Sequence, residues 1–136
     1  LLIFSLLKSK EFIMYEIEII TGFSAAHRLR DYKGKCEHLH GHNYRVHVVA
    51  RSDAPGSGGM VIDFGDLKKA ANQIMEMLDH KYLNDIVPFD KLEPSAENIA
   101  AYIFNQLHEM TPQYANMLYS ISVWESDTSR ASFIRD

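Results

Sequence analysis

The sequence predicts an α+β fold in which two helices pack on one face of an antiparallel four-stranded sheet. The segments follow one another as strand, strand, helix, helix, strand, strand, and each helical segment has a continuous apolar stripe. Half-buried strands alternate apolar and polar residues, whereas amphipathic helices repeat their apolar residues every three to four positions. This order is typical of α+β domains with the helices on one side of the sheet.

The strands are predicted from alternation and from β-branched and aromatic residues. The first strand covers residues 15–23 (YEIEIITGF), and the extended chain ends at His27. The second covers residues 42–52 (HNYRVHVVARS) and should pair with the first. The last two strands are predicted at residues 117–126 and 131–135.

The helices are predicted from caps and apolar periodicity. Asp63 caps the first helix, and Ser95 caps the second, since short oxygen-bearing side chains satisfy the free N–H groups of a first turn. The stripe of the first helix is Leu67, Ala70, Ala71, Ile74 and Leu78. The stripe of the second is Ile99, Tyr102, Ile103 and Leu107.

Composition limits the classes of protein that fit. The 136 residues are 46% hydrophobic and 24% charged, which is typical of a soluble globular domain. One cysteine excludes an internal disulfide framework and suits a reducing cytoplasm. The net charge of −4 argues against nonspecific nucleic-acid binding.

The first residues differ in character from the rest of the chain. The apolar run at residues 1–7 is too short to span a membrane, and it lacks the basic flank and cleavage site of a signal peptide. We therefore expect residues 1–13 to be an N-terminal extension outside the native fold. Residues 14–136 should form a single domain with no membrane partner.

The stretch KCEHLHGHNY (residues 35–44) holds three histidines and the only cysteine. His40 and His42 are two residues apart, so in an extended chain their side chains share a face, as does His38 if the extension reaches it. His27, at the end of the paired strand, is a third candidate ligand. Three neutral imidazoles and an open position are typical of catalytic zinc, whereas structural sites more often use several cysteines. The alternative is a set of surface or capping histidines.

Several other titratable residues have both a structural and a functional interpretation. Cys36 is either a small buried hydrophobe or an ionisable base or nucleophile beside a metal. Asp79 and His80 either end a helix, where a histidine suits the dipole, or form a pair in which a carboxylate orients an imidazole. Glu97 lies in a first helical turn, where a carboxylate is favourable anyway. Glu125, at the end of an apolar strand, is either solvated or binds a heterocycle through paired hydrogen bonds.

Six segments in this order and spacing resemble the 6-pyruvoyl-tetrahydropterin synthase family, especially its 6-carboxy-tetrahydropterin synthase branch. They are FSAAHRL, CEHLHGHNY, MVIDFGDLKK, LDHKYLN, PSAENIA and VWES. The resemblance implies the tunnelling fold (T-fold), in which subunits join their sheets into a barrel. It also implies a homohexamer of two stacked trimers, with active sites at the subunit interfaces.

The resemblance implies roles in the metal-binding segment. It places Zn²⁺ on His27, His40 and His42 and makes Cys36 the base that moves side-chain protons of the substrate. Glu37 follows the cysteine directly, and members of the folate branch carry a glutamate at about this place. Glu37 is therefore either a second acid–base group or a charge on a loop.

The resemblance also implies roles for four residues further along the chain. Asp79 and His80 become a proton-handling pair that reaches in from a neighbouring subunit. Glu125 becomes the anchor of the pterin ring, and Glu97 helps at the same interface. One departure concerns Ala96, which stands where animal members have a threonine and which has no side-chain donor for the pterin.

The expected activity is zinc-dependent conversion of 7,8-dihydroneopterin triphosphate to 6-carboxy-5,6,7,8-tetrahydropterin, on the route to queuosine-type deazapurines. Triphosphate and acetaldehyde are released, and basic residues such as Arg28, Lys33, Lys35 and Arg45 are candidates for meeting the triphosphate. The alternatives are cleavage to 6-hydroxymethyl-dihydropterin for folate synthesis and formation of the pyruvoyl product. An alternative of a different class is a non-catalytic pterin- or metal-binding module.

Overall fold

The computed structural model describes residues 11–136, so residues 1–10 of the predicted N-terminal extension lie outside the described residues. The strands are β1 (Tyr15–His27), β2 (His40–Ser52), β3 (Lys81–Tyr82), β4 (Leu118–Ser126) and β5 (Ser129–Ile134). The helices are α1 (Phe64–Leu78) and α2 (Ala96–Met110). Within residues 11–136, no helix combines the length and the apolar character that crossing a membrane requires.

The sheet has five strands, in the order β3-β1-β2-β4-β5, and the prediction of four antiparallel strands is wrong in this respect. The additional strand, β3, has two residues and runs parallel to β1, with Ala25 opposite Lys81. A two-residue strand is too short to show alternation in the sequence. It forms because the end of α1 is tied to β1, where the His80 N–H donates to the Ser24 carbonyl at 2.6 Å.

Both helices pack on one face of the sheet, as predicted. The side chain of Asp63 accepts a hydrogen bond from the Asp66 N–H, and Ser95 accepts one from the Asn98 N–H, so both predicted caps form. The apolar stripes join the inward residues of the strands in one core. Alternation along β1 and β2 therefore divides the sheet into a helix-facing side and an outer side.

The register of the strands brings the polar ends of the helix-facing side together. β1 and β2 pair without a shift from Tyr15 opposite Ser52 to His27 opposite His40. The β4–β5 hairpin has an irregularity between Trp124 and Ser126, and Glu125 lies at this point. Glu125 lies two residues after the buried Val123, so both side chains point to the helix-facing side of the sheet.

Candidate active site

Three histidines meet at the helix-facing end of β1 and β2. One ring nitrogen from each of His27, His40 and His42 lies within 4.8 Å of the others. The cross-strand pair supplies His27 and His40, and His42 follows two residues along on the same face. His38 precedes β2 with a side chain that is 79% exposed, so it lies outside this cluster.

Two backbone carbonyls fix the tautomers of the cross-strand pair. Nδ1 of His27 is 2.7 Å from the Pro94 carbonyl, and Nδ1 of His40 is 2.7 Å from the His38 carbonyl. A carbonyl oxygen only accepts, so each Nδ1 carries a proton, and the neutral form of each ring has its lone pair on Nε2. The two Nε2 atoms are 2.9 Å apart. Two lone pairs facing each other at this distance are unfavourable unless a cation lies between them.

The third imidazole completes a set that fits a divalent metal. Nε2 of His42 is buried and has no hydrogen-bond partner among the described residues. Burial lowers the pKa of both His27 and His42, which keeps the rings neutral, as ligands must be. Neutral imidazoles with their Nδ1 atoms bonded to carbonyls are the usual ligands of zinc. The donor set therefore fits Zn²⁺ with an open position.

Glu125 lies beside the histidines and lines a cavity of 320 Å³. One of its carboxylate oxygens is 3.9 Å from Nε2 of His42. Glu97, Ser95 and Ala96 line the same cavity from the start of α2. A half-buried carboxylate beside three clustered imidazoles can bind a planar donor edge, such as that of a nitrogen heterocycle.

Asp79 and His80 lie elsewhere. They follow α1 at the β3 side of the sheet, and His80 lines a 480 Å³ cavity with Ser24, Gly41, His42 and Asn43. Apart from His42, these strand residues point to the face opposite the clustered histidines, so the cavity lies mainly on the outer side of the sheet. The chain does not bring the pair together with its own metal-ligand cluster.

The pair itself is well built. Asp79 accepts a hydrogen bond from the Ser24 N–H at 2.8 Å, and its second oxygen lies 2.8 Å from Nδ1 of His80. These two donors, the backbone N–H first, hold the pKa of Asp79 below its usual range. His80 has a positive φ of 56°, which is uncommon for a non-glycine residue. The carboxylate thus holds Nδ1–H of His80, and the side chain that carries Nε2 is 84% exposed.

Cys36 and Glu37 lie in a short 3₁₀ turn, Lys35–Glu37, between β1 and β2. The Cys36 carbonyl accepts a hydrogen bond from the Leu29 N–H at 2.7 Å, which ties this turn to the chain just beyond His27. Cys36 is partly buried and unbridged. The turn replaces the extended conformation that would have sent the two side chains to opposite faces.

Sequence reasoning missed two contributors to the site. Tyr44 lies below the cluster, with its ring 5.3 Å from that of His42 and 5.8 Å from that of His27. Tyr44 follows His40 and His42 at a spacing of two residues, and this spacing in the sequence already indicated that all three share one face of the strand. The Pro94 carbonyl, which orients His27, belongs to the backbone 67 residues away, so no side-chain pattern announces it.

Comparison with known proteins defines the class to which this fold and site belong. Residues 16–136 match the family described as 6-pyruvoyl tetrahydropterin synthase. The chain therefore belongs to the 6-pyruvoyl tetrahydropterin synthase family, as the sequence motifs predicted, and its fold is the T-fold. Its relatives in this family are named for two different products.

A 6-carboxy-5,6,7,8-tetrahydropterin synthase of Synechocystis is 41% identical over 82% of this chain and 86% of its own length. A human 6-pyruvoyl tetrahydrobiopterin synthase is 38% identical over 79% of this chain and 82% of its own length. Among solved structures, a Caenorhabditis elegans 6-pyruvoyl tetrahydropterin synthase is 28% identical and superimposes with a TM-score of 0.81, covering 94% of this chain and all of that one.

A Plasmodium vivax 6-pyruvoyltetrahydropterin synthase, solved as a catalytic-residue mutant in which alanine replaces a glutamate, is also similar. It is 25% identical, has a TM-score of 0.72 and covers 90% of this chain and 98% of its own. Family membership and the names of these relatives indicate a lyase that processes pterins.

Proposed function

We propose that this protein converts 7,8-dihydroneopterin triphosphate to 6-carboxy-5,6,7,8-tetrahydropterin, releasing triphosphate and acetaldehyde. The observation that carries the proposal is the convergence of three Nε2 atoms, two with fixed tautomers, beside the carboxylate of Glu125. The Synechocystis relative, named for this product, supports the choice of product. The pathway we propose is the one to queuosine-type deazapurines, in the cytoplasm.

The metal we propose is Zn²⁺, held by His27, His40 and His42. Zinc supplies Lewis acidity, which makes hydroxyl-bearing carbons of a bound substrate more acidic. The chain's own contribution is to aim three rings at one point before substrate arrives. The carbonyls of Pro94 and His38 orient two of them by holding their Nδ1 protons, and burial favours the neutral form of His27 and His42.

Glu125 is proposed to bind the pterin ring. A carboxylate accepts two parallel hydrogen bonds, which matches the amino and N–H edge of a pterin. Glu97 lines the same cavity and is proposed to assist there. Ser95 accepts a hydrogen bond from the Asn98 N–H as a helix cap, which leaves its O–H free to donate to a ligand in this cavity.

Cys36 is proposed as the base that removes a proton from the side chain of the substrate. Its turn is fixed to the chain just after His27 through the Leu29 N–H. Asp79 and His80 are proposed to exchange protons with substrate bound to a second copy of the chain, because in its own chain His80, held by Asp79, lines the cavity on the outer side of the sheet. A homohexamer of two trimers, with sheets joined into barrels, would bring the two halves together.

A second product is favoured by a specific observation. Glu37 shares the 3₁₀ turn with Cys36, so both side chains originate within one turn rather than on opposite faces of a strand. The Plasmodium relative shows that a glutamate is a catalytic residue in that protein. Glu37 could then support carbon–carbon cleavage to 6-hydroxymethyl-dihydropterin from the same bound substrate.

Mass spectrometry of the products formed from 7,8-dihydroneopterin triphosphate tests these proposals. We expect the carboxy product from the wild type, and a fall of about 10²–10⁴-fold in its rate for Cys36→Ala with zinc retained. If Glu37 is a second acid–base group, Glu37→Ala removes any hydroxymethyl product and spares the carboxy product. A pyruvoyl product would replace the proposed activity, and tight pterin binding without any product would indicate a binding module.

A further inference from the structure

We infer that Glu93 is a positioning residue for the metal centre and acts through the carbonyl of Pro94 on the imidazole of His27. The inference rests on the proposed metal site. Glu93 itself is not among the candidate ligands. Its importance comes from what it ties together: the chain that leaves β1 just after His27, and the loop that leads into α2.

The side chain of Glu93 holds the first of these segments. One carboxylate oxygen accepts hydrogen bonds from the backbone N–H groups of Arg30 at 2.8 Å and Asp31 at 3.4 Å. The other lies 3.3 Å from the guanidinium of Arg30. That guanidinium also donates to the carbonyls of Phe89 at 2.6 Å and Asn84 at 3.3 Å. It donates to the Leu92 carbonyl as well, at 3.4 Å, so Arg30 joins three backbone points of the loop to a single carboxylate.

The main chain of Glu93 holds the second segment. Its carbonyl accepts a hydrogen bond from the Asn98 side-chain amide at 2.9 Å. The next carbonyl, that of Pro94, accepts the Nδ1 proton of His27 at 2.7 Å. Because Glu93 is fixed through both side chain and backbone, the carbonyl beside it has little freedom to turn away from the imidazole.

The clamp formed by Arg30 and Glu93 is partly buried and lies next to the Pro94 carbonyl that orients His27. Both side chains are only 26–27% exposed, so water competes weakly for their hydrogen bonds. The ring of His27 is buried, and the Pro94 carbonyl is the partner that holds its Nδ1 proton. If that carbonyl moves, the proton can shift to Nε2, which is the atom the metal needs. Loss of such outer partners typically costs about 10- to 100-fold in metal affinity.

The test uses two readouts on the full chain, Glu93→Ala being the principal variant. Zinc affinity is measured by competition with a chelator, and the tautomer of His27 in metal-free protein is read from the ¹⁵N shifts of its ring nitrogens. We expect zinc binding to weaken about 10- to 100-fold and the Nε2–H tautomer to appear. Glu16→Ala is the matched control, since it removes a carboxylate bonded to Arg51 at 2.6 Å at the other end of β1. It should change neither readout.

Two further variants keep the inference testable if Glu93→Ala does not fold. Glu93→Gln retains an oxygen for the backbone N–H groups but loses the ion pair, and Arg30→Lys loses the forked guanidinium. Both should weaken zinc binding, by less than Glu93→Ala. Zinc affinity and tautomer equal to those of Glu16→Ala, whatever the melting temperature, would overturn the role of the clamp. A wild type that binds no zinc would contradict the metal proposal alone, because the tautomer measurement still reports on the clamp.

Discussion

The two faces of the sheet differ sharply at the end where β1 and β2 finish. On the helix-facing side, three imidazoles and Glu125 converge, and carbonyls fix the tautomers of two of the rings. On the outer side, His80, whose Nδ1 is held by Asp79, lines an open cavity with Ser24 and Asn43. Both faces therefore carry groups suited to catalysis, but they are separated by the thickness of the sheet.

The difference indicates how the work is divided. The ligand cluster is mostly shielded, and its geometry depends on contacts within one chain. The Asp79–His80 pair has an exposed imidazole whose tautomer is fixed but whose Nε2 meets nothing in its own site. An exposed imidazole turned away from the histidine cluster of its own chain supports the proposal that the site is shared between two copies.

The largest expected effect comes from the helix-facing side. We expect His42→Ala to lose both the bound zinc and the activity, because only two ligands remain. His38→Ala is the matched control: it removes a histidine of the same motif whose side chain is 79% exposed and outside the cluster. Metal content by atomic emission, measured beside turnover, checks this. Full zinc occupancy in His42→Ala would show that the cluster is not the metal site.

The outer face is tested by mixing inactive chains. His42→Ala and His80→Ala should each be inactive alone. Refolding them together at equal amounts should restore about a quarter of wild-type activity. This fraction assumes that subunits combine at random and that each site takes its metal-binding half from one copy and His80 from another. Mixing His42→Ala with Cys36→Ala is the control, because both changes affect the same half. If His80 acted within its own chain, no mixture would recover activity.

A smaller effect is expected at Glu125. Glu125→Gln removes the charge and one acceptor, so affinity for the pterin should fall about 10- to 100-fold, the range for one charge-assisted hydrogen bond. Calorimetry with the substrate on a Cys36→Ala background gives the affinity without turnover. Asp127→Asn, next to the site and 98% exposed, should leave it unchanged. Equal affinity in Glu125→Gln and Asp127→Asn would exclude the anchor role.

These comparisons also show how much of the molecule was readable from the sequence. The helix-facing half was predictable, because strand parity aligns His40 with His42 and strand pairing places His27 opposite His40. Both helices were predictable from caps and stripes. The strand β3 was not, since two residues carry no period, and it exists because α1 ends against the backbone of Ser24.

The outer half was harder to predict for a physical reason. Spacing along the chain gives the face of a residue within a regular element, but Asp79 and His80 lie beyond the end of α1, where tertiary contacts decide their direction. Similarly, the clamp of Arg30 and Glu93 joins two loops 63 residues apart in sequence. Only the folded backbone shows that the carbonyl of Pro94, the residue after Glu93, reaches His27.

The smallest predicted effect concerns the stability of the metal-free protein against pH, and it tests the burial of the imidazoles on the helix-facing side. Burial lowers the pKa of His27 and His42 in the folded state, whereas an unfolded histidine titrates near pH 6.5. Between these values the unfolded chain binds more protons than the folded chain. The free energy of unfolding should therefore be fully retained above about pH 6.5 and fall as the pH drops toward the lowered pKa values, by at most about 1.4 kcal/mol per pH unit for each excess proton.

Urea denaturation of metal-free protein from pH 8 to pH 5 measures this slope. Exposed His38 serves as the control, since His38→Gln should leave the slope unchanged. Zinc should move the loss to lower pH, because protons must then displace the metal. Stability that stays level or rises on acidification would show that the helix-facing imidazoles are not held neutral by burial.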